Sequence, residues 1–496
     1  MSRQSASLLR DGAISSGLVM AAALTLAGCA AGPDFVRPPA PAISSYTPSD
    51  PVAVPGEAGA AAQTIRQGRD VPERWWRTFG SPALDDLVAQ ALAASPSQEA
   101  ARATAAQAAA LVAAARGSAY PEISIAASVT RANGTRGGIT GASGNLFELG
   151  PAATFDPDPF GGIRRRIEQA QAIAEFQQAQ WQAARLTLAG NTVLQSIALA
   201  TAAEQITAVR DIIGVDQRNL ELVEISSTAG KSARLDVLTA ESQLSNDLAL
   251  LPPLEQQASV ARHALAVLIG KTPAEWSPPK FDLAKFALPQ ELPLTLPSRL
   301  ARRHPDIRAA EAQLHAANAA IGIATAQLYP GITLSANWTA TAGTAGGLFG
   351  GDTLWNLAAS LVAPVFNGHA LAAQRDAAVE AYAAQLANYR QALLQVFGRV
   401  ADVLESLSHD AAQLQAQFKA LETAQAALAL TQESYQAGQA SLLQLLESQR
   451  LYQQARIGYA RSKGQRYSDT AQLFIALGGS SELADLENAR PGLARD

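Results

Sequence analysis

Residues able to do chemistry are few in this 496-residue chain, and they do not converge. Gly230-Lys231-Ser232 has the ending of a phosphate-binding loop. Such a loop needs a glycine five residues before Gly230, where Ile225 stands, and a buried strand ahead of it. The tripeptide instead reads as a turn between helices, with Ser232 capping the second one. His263, His304, His315, His369 and His409 are scattered, with no HExxH and no Cys/His cluster that would bind zinc. No GxSxG elbow is present, and no polar set suggests a hydrolase pocket. The residues predict no catalytic group, no cofactor and no metal. A formal charge of −5 without a basic run offers nucleic acid no footprint.

One residue does have a clear chemical fate. Cys29, the only cysteine, follows Leu26-Ala27-Gly28. Before these come the charges of Arg3 and Arg10 and an apolar stretch from Ile14 to Ala27, the form of a secretory signal. The site resembles a bacterial lipobox, in which the cysteine is acylated and becomes the mature N-terminus. A lone buried thiol inside an ordinary cleaved signal is the competing reading. Ala30 stands where an aspartate would favour retention at the inner membrane, so the expected address is the outer membrane. Removing residues 1–28 shifts the formal charge from −5 to about −6. A single lipid chain holds weakly, so something else in the protein must also sit in the membrane. Beyond the signal no uninterrupted apolar run of spanning length is found, and no spanning helix is expected. A crossing would use strands.

The elements that would do this come in two copies. SAYPEISIAASVT around Tyr120 is answered by QLYPGITLSANWT around Tyr329, about 209 residues on. Gly162 is answered by Gly368, and Gly230 by Gly438. In the first copy Ile123, Ile125, Ala127 and Val129 alternate with Ser124, Ala126, Ser128 and Thr130. In the second, Ile332, Leu334, Ala336 and Trp338 alternate with Thr333, Ser335, Asn337 and Thr339. Returning strands carry Phe147, Leu149, Ala153 and Phe155, then Trp355, Leu357, Ala359 and Leu361. The alternation predicts hairpins over 119–156 and 328–366. A soluble amphipathic hairpin gives the same pattern as a transmembrane barrel with lipid outside and water inside; the lipoprotein signal favours the barrel. Four strands cannot close a membrane barrel, so copies of the chain must pool them.

Each hairpin is followed by a stretch without a strong breaker, 163–229 and 370–437, long enough for helices of roughly 100 Å. These end at glycine turns, and shorter helices return from Leu235 and Leu442. Pro252-Pro253 predicts a break in the first return. The expected organisation is a signal peptide (1–28) and a lipidated extended arm (29–80). A first repeat (81–270) opens at Ser81-Pro82, and an equatorial linker (271–298), a second repeat (299–478) and a tail (479–496) follow. The arm, rich in proline over 30–72, is read as a tether without a core.

With LAGCAAGPDFVRP at 26–38, WWRTFGSPALDDLV at 75–88, RHALAVLIGKTPAEW at 262–276 and RRHPDIRAAEAQLHAANAAIG at 302–322, the chain resembles the TolC-like outer membrane factors. The paired turns GKSARLDVLTAESQL and GQASLLQLLESQRLY strengthen the match, which is nearest to their lipidated NodT and OprM type. The resemblance implies a mixed α and β membrane protein and a homotrimer. Each chain would give four strands to one β-barrel, continued by an α-helical coiled-coil barrel across the periplasm. It also implies a passive efflux duct that meets a periplasmic adaptor and an inner-membrane pump. By the same resemblance the periplasmic gate falls on Asp236, Tyr435, Gln444 and Glu447, with the family's assisting arginine replaced by Ala440. The adaptor-docking turns fall on Gly230, Leu235, Gly438 and Leu443. Phe155-Asp156-Pro157-Asp158-Pro159-Phe160-Gly161 departs from the family's WELDLFG-like stretch and suggests a sharper strand-to-helix corner. Two alternatives stand beside this reading. An envelope-spanning coiled-coil lipoprotein leaves the strands unexplained, and a lipid-anchored hydrolase lacks a pocket.

Overall fold

The computed structural model describes residues 30–48, 50, 53–56, 62–132, 144–350 and 352–479. Cys29, the signal and the tail from 480 lie outside the described residues. The chain divides into two compact units, one of residues 1–38, 104–178 and 309–390, the other of residues 39–103, 179–308 and 391–496.

The helices follow their punctuation. Helix α1 (Pro82–Ala94) opens where Leu84 N donates to Ser81 Oγ at 3.3 Å and Pro82 fills a position that needs no N–H. The alanine-rich stretch from Ser81 to about Arg116 is not one helix. It is interrupted before α2 (Pro96–Gly117), because Pro96 holds Ser95 in extended backbone at φ −70, ψ 124. Helices α3 (Gly162–Thr228) and, in the second half, α8 (Ala370–Gln436) run 67 residues each, with no proline inside. The corner before α3 is turned by Asp158 and Gly161, both left-handed at φ 49 and 77. Asp158 Oδ2 then accepts from Arg164 N in the first turn.

The returns differ. The first is split into α4 (Arg234–Leu248) and α5 (Leu251–Leu268), the break falling where Pro252-Pro253 cannot continue the hydrogen-bond ladder. The second, α9 (Leu442–Ala476), carries no proline and continues for 35 residues. The second half opens with α6 (Pro297–Arg303) and α7 (Pro305–Ala326). Helix α3 includes an 18-residue window of mean hydropathy 1.3, apolar enough to cross a membrane by composition, but 56% of that window is buried within the chain.

In the first unit, strands β3 (Glu122–Ala132), β4 (Gly144–Phe155), β6 (Gly331–Ala342) and β7 (Asp352–Val362) form one antiparallel sheet in the order β3-β4-β6-β7. The start of the arm is pinned beside it. Arg165, with 5% of its side chain exposed, donates to the carbonyls of Ala31 and Gly32 and to Asp34. Phe35 stacks on His315 at 4.3 Å, and Asn318 donates to Pro33 O.

In the second unit the arm is not a bare tether. Strands β1 (Ala53–Val54) and β2 (Gln63–Gln67) join β5 (Glu291–Leu294) in a sheet ordered β1-β2-β5, with β2 and β5 parallel. Val54, Gln63 and Ile65 are buried there, so this stretch contributes core that proline content did not suggest. The linker contributes too, through Phe281, Leu283, Phe286 and Leu292. Trp75 stacks on Phe474 at 5.2 Å, and Tyr467 donates to Phe286 O at 2.8 Å, closing an aromatic core.

Candidate functional site

The sheet has two chemically distinct faces, and the register decides which residues share one. Ile123, Ala153, Ala336 and Leu357 form one cross-strand row. Phe155, Leu334 and Ala359 form another, and Trp338 faces Trp355. Rows of opposite parity are polar: Ser124, Ala152, Asn337 and Asn356, then Ser128, Glu148, Thr341 and Asp352. Ser128 Oγ donates to Glu148 Oε2 at 2.8 Å across the first hairpin. The apolar face is open to its surroundings in the single chain, with Ile125 78%, Trp355 78% and Leu357 74% exposed. Gly150 permits the close approach of β4 to β6, since a Cβ there would clash with Trp338 O.

At the far end of each long helix a glycine ends the ladder. Gly230 (φ 71) lets Lys231 N donate to Ser226 O at 2.8 Å, and Gly438 (φ 72) lets Gln439 N donate to Ser434 O at 2.8 Å. The helix that follows the first turn starts after Ala233, not Ser232. Ser232 Oγ instead donates to Val223 O at 3.3 Å, back onto α3. The cap comes from Asp236, whose Oδ2 accepts from Ala233 N at 3.0 Å. At the second turn Ser441 and Gln444 cap one another, Gln444 N to Ser441 Oγ and Ser441 N to Gln444 Oε1. Leu235 and Leu443 stand exposed beside these turns at 70% and 68%.

The residues onto which the resemblance places a gate therefore carry local duties within the single chain. Asp236 and Gln444 hold helix starts, and among the described residues no hydrogen bond joins Asp236 to Tyr435. Glu447 is not a free charge: Arg450, one turn on, donates to Glu447 Oε2 at 2.9 Å and holds its carboxyl below the usual carboxylate range. Arg450 was not singled out in the sequence, although its i,i+3 spacing was visible there.

Two buried acid clusters were also missed. Asp216 is 2% exposed, and neither of its oxygens has a donor. It lies within hydrogen-bonding reach of Asp247, and burial with that neighbour pushes its carboxyl up to about 8. Asp469 is 3% exposed beside Asp410 and is likewise pushed up to about 8, first by burial. The signal for Asp216 was an acid continuing the stripe of Val209 and Ile213 at helical spacing, both of them buried. Among the described residues no group of three or more His, Cys, Asp or Glu could hold a metal ion.

The architecture recurs in solved proteins. The chain superposes on the outer-membrane channel OprN with a TM-score of 0.82 at 28% identity, covering 92% of this chain and 100% of that one. The family model for outer membrane efflux proteins matches twice, at residues 87–271 and 296–479. The chain belongs to the outer membrane efflux protein family. This efflux protein is 34% identical to the pyoverdine export outer membrane protein OpmQ of Pseudomonas aeruginosa over 85% of its own length and 89% of that relative. It is 27% identical to nodulation protein T of Rhizobium leguminosarum bv. trifolii over 92% and 95%. The efflux protein is thus an outer membrane component of the NodT and OprM type, and its two-faced sheet and paired turns are the parts to be given roles.

Proposed function

We propose that three copies of the chain close their sheets into one twelve-stranded barrel, four strands from each, and that the long helices continue it as a tunnel through the periplasm. The observation that carries this reading is the register of the four-stranded sheet. It gathers the apolar side chains on one face and the polar ones on the other, and leaves β3 and β7 each with an unpaired edge. In hydrocarbon such edges cost several kcal/mol per unpaired group, and pairing β7 of one copy with β3 of the next removes them. The doubled family match supports an internal duplication over 81–270 and 299–478.

Cys29 carries the acyl anchor. Arg165 grips the arm from Ala31 to Asp34, and that grip ties the anchor to the start of α3. The turns at Gly230 and Gly438, with Leu235 and Leu443 exposed beside them, receive the adaptor, and the pump delivers cargo through it. Relatives are named for pyoverdine export and for toluene and solvent efflux. Those cargoes share little chemistry, which suits a duct that conducts without catalysis and without choosing.

Planar bilayer recording on the purified acylated protein tests this reading, combined with chemical crosslinking in detergent. Stepwise conductance with a crosslinking ladder ending at three chains is the expected result. A monomer that yields no conductance overturns it.

A further inference from the structure

Asp247 is the penultimate residue of α4, immediately before the break that separates α4 from α5. Helix α4 is also the segment that returns from the Gly230 turn, so Asp247 sits at the natural pivot of that turn. Its partners come from three helices. Gln243 of α4 and Gln453 of α9 both donate to Asp247 Oδ2, at 2.8 and 3.1 Å. Asp216 of α3 faces the same carboxylate and receives no donor at either oxygen.

Two carboxylates in contact, walled off from water, cannot both be charged at neutral pH without a compensating cation. The charged groups that face this cluster do not supply one. On α9, Arg456 is committed to Asp211 of α3 at 2.6 Å, and Arg450 is committed to Glu447. The next polar pair along, Asn219 with Gln449, is neutral. Arg218 of α3 is exposed, and Arg210 of α3 is paired with Glu255 of α5. Since Gln243 and Gln453 both donate to Asp247, a proton on one Asp216 oxygen, donated to Asp247, gives that buried oxygen a partner.

We propose that Asp216 and Asp247 share one proton and so form a latch at the hinge between α4 and α5, closed near neutral pH and released when the proton leaves. Released, the two like charges drive α4 away from α3 and α9, and the Gly230 turn moves with it. The latch is a property of one chain and does not depend on pore formation. A protein without conductance would overturn the channel reading and leave this test intact.

Spin labels on Leu235→Cys and Leu443→Cys in the full-length protein report the spacing of α4 and α9. Measurements at pH about 6.5 and about 9.5 lie on either side of the value of about 8 to which burial and Asp247 push the Asp216 carboxyl. A narrow distance distribution at the lower pH that broadens and lengthens at the higher is expected. Asp216→Asn keeps the hydrogen bond without the charge, so its distribution stays narrow at both. Asp469→Asn, which touches only the other acid pair, retains the wild-type response. In infrared difference spectra between the same two pH values, Asp216→Asn loses part of the protonated-carboxyl carbonyl band. A wild-type distribution that does not change with pH overturns the latch. So does a response that survives in Asp216→Asn, or one that Asp469→Asn abolishes.

Discussion

Arg165 is buried with its guanidinium turned onto the arm, yet its partners are unequal. Asp34 is 91% exposed on its side chain, so that ion pair is screened and contributes under about 1 kcal/mol. The carbonyls of Ala31 and Gly32 accept charge-assisted bonds from a side chain only 5% exposed, and these contribute more. Asp34→Asn is therefore expected to leave the heat stability of the assembled protein nearly unchanged, whereas Arg165→Met lowers it by about 2–4 kcal/mol, read from the dissociation temperature of the oligomer. At Cys29 the expectation is chemical. Cys29→Ser loses incorporation of a radioactive fatty acid, and retained label would mean acylation elsewhere. Near the second turn, on the reading that Glu447 lines the periplasmic mouth, Arg450→Ala is expected to free its carboxylate and raise cation selectivity in bilayers, and Glu447→Gln to lower it. Equal selectivity in the two variants would place the pore's charge elsewhere.

Among elements, the strands and long helices were legible because their punctuation is local. A period of two marks β3, β4, β6 and β7, and glycine turns mark the ends of α3 and α8 within a residue or two. The Pro252-Pro253 break was legible for the same reason. The small sheet was not, because β2 and β5 lie more than 220 residues apart and each is too short to show a period. The caps were half legible: Ser81 and Ser441 act as their types suggest, while Ser232 is out of register with its helix by one residue. The acid pairs were hidden because each joins residues on separate helices. The face assignment makes a sharp prediction. Arginine at Leu334, on the apolar face, should cost about 2–4 kcal/mol in the membrane, and arginine at Ser335, one residue on, should cost little and alter conductance. Heat stability of the oligomer separates the two, and an equal response would refute the faces.

For the whole molecule, pH acts on stability from two sides. His304 is pushed down to about 4 by burial, so the unfolded chain takes up a proton that the folded chain resists. Stability is therefore lost as pH falls from about 6.5 towards about 4. Asp216 and Asp469 are raised to about 8, so the folded chain keeps protons that the unfolded chain releases above about 4. Their contribution is full in acid and lost as pH rises towards about 8. The doubly substituted Asp216→Asn, Asp469→Asn protein should show a melting temperature that declines less between pH about 5 and about 8, with the acid-side loss unchanged. An unaltered slope would mean that neither acid holds its proton. The parallel pairing of β2 with β5 bears on how the chain comes to fold at all. Gln63–Gln67 emerges from synthesis and export long before Glu291–Leu294, and its ladder partner does not exist until more than 220 further residues have followed. Until then Val54 and Ile65 have no core to enter. The proline-rich composition around them, poor in extended apolar runs, keeps the waiting segment from pairing with a neighbour's strand. Closure of so distant a contact is slow, which makes the small sheet a late event in maturation, formed after the local helices it rests beside.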